Sequence, residues 1–236
     1  MNRAEKATLQ LCAVDVLRML KETRTYEELA DRTGLPAGDL NRYVNGHVLP
    51  SETRARELVD SVSVDLLKTE LEERIIVDDD GYVDNSRAVF DQSFLTLVAP
   101  VAATELDVSR PAVILTAATD GITLAATMAE HFGARCAYAK RSRETAVEDF
   151  VEARQRLDSG IELDYYLPAN AIDHGDTVLV VDDLIRSGET QELLLDIVES
   201  GGADIVGVYT LIAVGREGIQ RVRKRVDVPV EALLSL

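Results

Sequence analysis

Two adjacent carboxylates, Asp182 and Asp183, follow a short apolar run and precede a small polar loop. The apolar residues 178–181 are typical of a strand that is buried on both faces of a parallel sheet. The loop 186–190 reads Arg-Ser-Gly-Glu-Thr, and apolar residues at helical spacing begin at Leu193. In open α/β sheets, ligands bind beyond the carboxyl ends of strands, and N–H groups at a helix start bind anions. The stretch therefore predicts a site where carboxylates accept hydrogen bonds from vicinal hydroxyls and the loop surrounds a phosphate.

The same residue types also fit an ordinary turn between a strand and a helix, and Gly-Glu-Thr alone favours that interpretation. As a whole, the stretch 178–190 resembles the phosphoribosyl pyrophosphate (PRPP) loop of the type I phosphoribosyltransferases, in which two acidic and two apolar residues link an apolar strand to a short Gly/Thr cradle. The resemblance implies that Asp182 and Asp183 hold the ribose hydroxyls and can hold Mg²⁺ together with PRPP, with no cofactor obligatory. It implies a 5′-phosphate site formed by Arg186, Ser187, Gly188, Glu189 and Thr190.

Two residues of this loop depart from the family pattern. Arg186 stands where many of the transferases have Asp or Thr, and Glu189 places a negative charge in a loop that binds an anion. Arg186 either offsets the charge of Glu189 or binds the phosphate directly. These departures predict a site that binds its ligand but has little or no transferase turnover.

A second strand-loop-helix segment precedes the first. The apolar residues 112–115 are followed by the small-residue loop 116–121 and by a predicted helix over 122–132. The loop resembles the pyrophosphate loop of the same family. That resemblance implies that the backbone N–H groups of Thr119, Asp120 and Gly121 are donors to pyrophosphate.

Basic residues follow the next predicted strand. Lys140 and Arg141 stand where the transferases present a basic residue to pyrophosphate. Orotate-specific members continue with a Lys-rich loop that contains a His, whereas residues 144–159 hold neither Lys nor His. We predict a helical or mobile acidic insert over 144–159, and the departure counts against orotate chemistry.

These loops require a mostly parallel sheet with helices on its faces, because crossover connections cover both faces of such a sheet. The resemblance covers residues 86–236 and implies the type I phosphoribosyltransferase fold, of class α/β. Within this range, we predict a long helix that is capped by Ser86 and ends near residue 106. A small all-α domain over 1–61 and a linker with a hairpin over 62–85 precede it.

The N-terminal domain contains helices predicted over 5–20, 26–33, 36–45 and 52–62. Thr25 and Glu28 form a capping box at the start of the second helix, and Gly34 ends it. The pair of short helices resembles a helix-turn-helix of the repressor type, which implies that the helix over 36–45 enters the major groove of DNA. The alternative is a generic helical unit that serves dimerisation.

The candidate DNA contacts are the polar residues on and beside that helix. Asn41 can pair with adenine and Arg42 with guanine or phosphate, whereas the residues outside the helix are expected to touch phosphates. The full set is Asp39, Asn41, Arg42, His47, Arg54 and Arg56.

The charge of the chain is strongly acidic and unevenly distributed. The 236 residues contain 42 acidic and 25 basic side chains, a net charge of −17. Residues 1–60 hold nine basic and ten acidic side chains, so the acidic surplus lies beyond them. A DNA-binding unit needs such a surface without excess negative charge, because DNA is itself negatively charged.

A basic cluster at 221–225 lies in the acidic part of the chain. For this cluster, a solvated helix face is favoured over a second DNA contact. Only five residues are Lys, and an acidic, Lys-poor surface suits concentrated salt.

The combination of the two domains resembles archaeal regulators that join a helix-turn-helix to an orotate-phosphoribosyltransferase-like domain, and in particular the haloarchaeal type that controls glucose and fructose catabolism. This implies a homodimeric transcriptional regulator, activator or repressor, that binds a palindromic operator in double-stranded DNA and senses PRPP or another phosphorylated metabolite. The alternative is an active orotate- or purine-type phosphoribosyltransferase whose N-terminal helices dimerise. No apolar run is long enough to cross a membrane and residues 1–6 lack a signal sequence, so a cytoplasmic protein is expected.

Overall fold

The computed structural model describes residues 3–108, 110–156 and 162–236. Contacts between residues divide the chain into two units, Met1–Val101 and Ala102–Leu236. The division lies inside one helix, and residues 62–101 group with the N-terminal helices rather than with the sheet. The domain boundaries at residues 61 and 85 mark predicted functional segments, and they stay a prediction. None of the described helices is both long and apolar enough to cross a membrane.

The first unit consists of short helices and a small hairpin. Its helices and strands are α1 (Arg3–Lys21), α2 (Tyr26–Thr33), α3 (Ala37–Val44), α4 (Glu52–Asp60), α5 (Val64–Glu72), β1 (Ile76–Val77), β2 (Val83–Asp84), α6 (Ser86–Val89) and the first part of α7 (Gln92–Leu106). The strands β1 and β2 pair antiparallel. The helices predicted over 26–33 and 36–45 are therefore present as α2 and α3, whereas the function of this pair stays a prediction.

Local hydrogen bonds fix the start of α2, and a glycine ends it. The Thr25 hydroxyl accepts the Glu28 N–H at 3.3 Å, and the Glu28 carboxylate accepts the Thr25 N–H at 2.7 Å, which forms the predicted capping box. Gly34 ends α2 in the left-handed region, at φ 68°. Leu29, Leu40 and Tyr43 are buried, so the opposite face of α3 is turned outward.

A buried network of charged groups joins the helices of this unit. The Arg74 guanidinium donates to the carboxylate of Glu70 at 2.8 Å, to that of Asp91 at 3.0 Å and to the carbonyl of Met19 at 2.6 Å. Arg24 Nη1 lies 2.5 Å from Glu70 Oε1, an ion pair whose angles fall outside hydrogen-bond geometry. Glu70 is fully buried, and the two guanidinium groups compensate its charge.

The single long helix predicted over 86–106 is interrupted. The segment forms α6 and α7 with a break at Phe90 and Asp91. The Asp91 carboxylate accepts the N–H of Phe94 at 3.0 Å, so Asp91 caps a new helix start. The break also leaves the Phe90 side chain exposed.

The second unit is organised around a parallel sheet of order β4-β3-β7-β8-β9. Its elements after α7 are β3 (Val113–Ala117), α8 (Gly121–Phe132), β4 (Arg135–Ala139), β5 (Phe150–Arg156), β6 (Glu162–Pro168), a 3₁₀ turn (Ala169–Ala171), β7 (Thr177–Ile185), α9 (Glu189–Ser200), β8 (Asp204–Ala213), α10 (Glu217–Arg225) and β9 (Val230–Ser235). All five residues of β3 are buried, as are 178–182 in β7, so the centre of the sheet is the core of this unit.

The acidic insert predicted over 144–159 forms a turn and loop over 144–149 and a strand over 150–156. Residues 150–156 form β5, which pairs antiparallel with β6, and residues 157–159 lie outside the described residues. Ala153 and Tyr165 are buried, and charged residues alternate with them, which is the period of a strand. The helix prediction was wrong because acidic composition outweighed this alternation.

Candidate functional site

The loop between β7 and α9 is shorter than predicted, because β7 continues through both acidic residues to Ile185. Gly188 has a φ of 80°, and a Cβ there would lie 2.7 Å from the carbonyl oxygen of Gly218. A Cβ on Gly218 would overlap the carbonyl oxygen of Arg186. The loop backbone thus packs directly against the first turn of α10, and this contact requires glycine at both positions.

The side chains of this loop already contact one another. The Ser187 hydroxyl donates to Glu189 Oε2 at 2.8 Å. Arg221 Nη1 of α10 lies 3.9 Å from Glu189 Oε1, and its Nη2 lies 2.6 Å from Glu192 Oε2. Arg186 is exposed and Thr190 is half-buried. Arg221 therefore offsets the charge of Glu189, a role that the sequence offered only to Arg186.

The two adjacent carboxylates differ in environment. Asp182 is buried and accepts hydrogen bonds from the Gln191 side chain at 2.6 Å and from the Asp183 N–H at 3.1 Å. Burial, followed by the nearby charge of Asp183, raises the pKa of Asp182 well above its usual value. Asp183 is half-buried, so it is the more accessible of the two carboxylates. That both hold ribose hydroxyls stays a prediction.

The second predicted loop lies beside the first. Strand β3 pairs with β7, and α8 begins at Gly121 after a loop with a cis peptide bond between Ala118 and Thr119. A Cβ on Gly121 would lie 2.7 Å from Asp182 Oδ1, so the two loops meet at that carboxylate. Thr119 and Asp120 are exposed. The structure therefore brings the two predicted loops together beyond the carboxyl ends of the neighbouring strands β3 and β7.

The predicted basic residues at 140 and 141 contact their own surroundings. The Lys140 ammonium pairs with Glu144, and its backbone exchanges hydrogen bonds with Tyr166. The Arg141 guanidinium contacts Tyr165, with Nε 3.4 Å from the hydroxyl oxygen. Lys140 follows β4, which pairs with β3 as far as Ala139, so it starts close to the second loop.

Gln191 is a site residue that the sequence analysis missed. Its side chain is buried, and it holds the Asp182 carboxylate. A signal was present, because Gln191 shares one helical face with the apolar residues Leu194, Leu195 and Val198. A polar residue on such a face must find a buried partner.

The six candidate DNA contacts fall into two groups. Asn41, Arg42, His47 and Arg56 are exposed, whereas Asp39 and Arg54 are half-buried and lie 3.8 Å apart as an ion pair. Arg54 also donates to the Tyr43 hydroxyl at 2.9 Å. Among the described residues, the Arg42 side chain has no ion-pair partner. The exposed outer face of α3 is thus formed by Asn41 and Arg42.

Comparisons with known proteins identify the second unit. The family model described as "Phosphoribosyl transferase domain" matches residues 92–230. The hypoxanthine/guanine phosphoribosyltransferase of Methanopyrus kandleri is 35% identical over 96 residues, which are 41% of this chain and 49% of that protein. The HGPRTase-like protein 3 of Haloterrigena turkmenica is 29% identical over 159 residues, 62% of this chain and 80% of that protein. The chain thus spans about half the length of the first of these relatives.

Solved structures extend the likeness to the fold. Adenine phosphoribosyltransferase from Rhodothermus marinus superposes with a TM-score of 0.63 at 23% identity, covering 73% of this chain and 99% of that chain. The enzyme of the same name from Thermoanaerobacter pseudethanolicus gives 0.62 at 18% identity, covering 74% and 100%. Similarity at this level of identity shows a shared fold, and the α/β class with a mostly parallel sheet is confirmed.

Proposed function

We propose that this chain, which belongs to the phosphoribosyl transferase domain family, is a DNA-binding transcriptional regulator. Its transferase-type site would bind PRPP or a related phosphorylated metabolite as the effector. The observation that carries the DNA-binding part is the outward face of α3. Leu40 and Tyr43 anchor the helix in the first unit, while Asn41 and Arg42 are exposed. An amide and a guanidinium on one exposed helix face are the groups that pair with adenine and guanine edges.

The ligand part of the proposal rests on the two adjacent loops. N–H groups at the start of α9, the Ser187 hydroxyl and the loop before α8 are donors suited to phosphate groups. Asp183 is the accessible carboxylate, and together with the oxygens of PRPP it can hold Mg²⁺, which needs few protein ligands beside phosphates. Among the described residues, no three His, Cys, Asp or Glu side chains converge on one metal site.

The resemblance to haloarchaeal regulators supports genes of central sugar catabolism as the target and a homodimer as the active form. In a two-fold dimer, the two copies of α3 would have to meet successive major grooves, about 34–36 Å apart. A palindromic operator follows from that symmetry. The acidic, Lys-poor composition supports a cytoplasm of high salt.

The alternative function is an active phosphoribosyltransferase, and its support is the family and the names of the relatives. Against it, the Ser187 hydroxyl already donates to Glu189, and Lys140 pairs with Glu144. With PRPP, Mg²⁺ and adenine, guanine, hypoxanthine, xanthine or orotate in turn, we expect negligible release of pyrophosphate. Sustained release with any one base would favour the enzyme over the regulator.

The decisive experiment is an operator titration in the presence and absence of PRPP, after the operator has been found by genomic pull-down. A ligand shifts DNA affinity only if it binds the two forms of the dimer unequally. We expect a change of about 5–150-fold, the usual range of allosteric coupling. Asp183→Asn should remove the response to PRPP, measured against its own affinity without ligand. A wild-type protein that binds PRPP in calorimetry but keeps one operator affinity would refute PRPP as the effector.

A further inference from the structure

The first turn of α9 contains a carboxylate, that of Glu189, beside the groups that would bind a phosphate. The Glu189 carboxylate accepts the Ser187 hydroxyl at 2.8 Å, and the Glu189 N–H lies 3.5 Å from the same hydroxyl oxygen. These hydroxyl and N–H groups are the donors that a phosphate would use at a helix start. A carboxylate of the chain itself therefore occupies one of them.

A second partner for this carboxylate lies on α10. Arg221 Nη1 is 3.9 Å from Glu189 Oε1, which is about 1 Å longer than a charge-assisted hydrogen bond. The other amino group of Arg221 holds Glu192 at 2.6 Å. A small rotation of the Glu189 side chain would close the contact with Arg221 and release Ser187. Both side chains are partly exposed, so the core does not oppose that rotation.

We propose that Glu189 competes with the phosphate group of the effector for Ser187, and that Arg221 receives the displaced carboxylate. The inference rests on the proposed phosphate site. It adds the condition that a ligand must meet in order to bind there. A ligand must bring enough phosphate contacts to displace a carboxylate, so weakly bound anions are excluded. Arg221 lowers the cost of displacement because the carboxylate exchanges one charge-assisted contact for another.

The first test compares two glutamates that share Arg221. Ribose 5-phosphate is titrated calorimetrically into the full chain as wild type, Glu189→Gln and Glu192→Gln. Both variants remove one negative charge from α9, but Glu192 lies three residues further along the helix. We expect Glu189→Gln to bind about tenfold more tightly, equivalent to about 1.4 kcal/mol. Glu192→Gln should change the affinity less than Glu189→Gln does, because Glu192 pairs with Arg221 whereas the Ser187 hydroxyl donates to Glu189.

The second test asks where Arg221 acts. Arg221→Gln should weaken binding of ribose 5-phosphate in the wild-type background, since the displaced Glu189 loses its acceptor. In the Glu189→Gln background the same change should have no effect, and this non-additivity is the signature of a shared contact. An equal loss in both backgrounds would mean that Arg221 binds the phosphate directly, which overturns the inference.

The outcomes separate this inference from the function on which it rests. Equal affinity of wild type and Glu189→Gln for ribose 5-phosphate overturns the inference and leaves the phosphate site standing. A gain that Glu192→Gln shows equally also overturns it, because the effect is then one of net charge. If only Glu189→Gln binds ribose 5-phosphate measurably, the inference is supported. If neither wild type nor Glu189→Gln binds ribose 5-phosphate or PRPP, the proposed site and the inference are both overturned.

Discussion

The helices α3 and α10 use their arginines in opposite ways. On α10, Arg225 pairs with Asp196 at 3.1 Å and with Glu199 at 2.6 Å, and these hydrogen bonds raise its pKa. Arg223 donates to the Val230 carbonyl at 2.7 Å and contacts Glu231 at 3.3 Å. On α3, Arg42 is exposed and has no ion-pair partner among the residues that the structure describes.

The comparison shows that the number of basic residues does not identify a nucleic-acid interface. The cluster at 221–225 is the densest basic segment of the acidic part of the chain, but its arginines bind their own carboxylates. An arginine must leave such partners before it can contact DNA. The single arginine of α3 has the more suitable surroundings, since Asn41 lies beside it and no carboxylate within the described part of the chain pairs with it.

The largest expected effect tests the DNA-binding side of this comparison. Asn41→Ala with Arg42→Ala should weaken operator binding by at least about 30-fold, because each of two bidentate base contacts contributes roughly 1–3 kcal/mol. A mobility-shift titration measures the loss. Arg223→Gln with Arg225→Gln is the control and should bind the operator as wild type does. The assignment of α3 fails if the α3 variant keeps full affinity, or if the control loses it.

A smaller effect is expected from the second residue of each helix, which is glycine in both cases. Gly218→Ala in α10 should lower the free energy of unfolding by about 1–3 kcal/mol, because its Cβ would overlap the Arg186 carbonyl oxygen. Gly38→Ala in α3 has open space around its Cβ and should stabilise by about 0.5–1 kcal/mol. Urea unfolding measures both. A harmless Gly218→Ala would contradict the packing of the loop against α10.

The smallest effect concerns the stability that the paired arginines contribute. Arg225→Gln should cost about 0.5–1 kcal/mol, because partly exposed ion pairs contribute little even in a network. Arg42→Gln should leave the free energy of unfolding unchanged, since the Arg42 side chain is exposed and forms no ion pair with the residues that the structure describes. Thermal unfolding of both variants at low and high salt is the measurement. Equal destabilisation by the two changes would remove the contrast between the helices.

The local parts of the fold were predictable from the sequence. The capping box at Thr25, the helices α2 and α3 and the apolar centre of β7 are set by residues within a few positions of each other. The break at Asp91 was missed although its capping signal is equally local. The sequence supported a helix through it because the flanking residues are apolar at helical spacing.

The parts that were missed depend on distant partners. Asp182 and Asp183 belong to β7 because β8 pairs alongside them, from Asp182 with Thr210 to Ile185 with Ala213, although Asp is rare in strands. The strand β5 exists because β6 pairs with it. In the site, the need for glycine at 188 comes from a helix thirty residues later, and Arg221, one of the two partners of the Glu189 carboxylate, lies on that same helix.

The buried network of charged groups around Arg74 and Glu70 affects how the first unit unfolds locally. Arg24 precedes α2 by two residues, and Asp91 immediately precedes α7, so both helix starts are tied to the same buried carboxylate of Glu70 through arginines. Loosening the start of α2 alone withdraws Arg24 from Glu70, and loosening the start of α7 alone withdraws Asp91 from Arg74. Either change leaves the buried network with one unbalanced charge. Amide hydrogens around 19–28 and 70–94 should therefore exchange with one shared opening free energy, as a single cooperative segment of the chain.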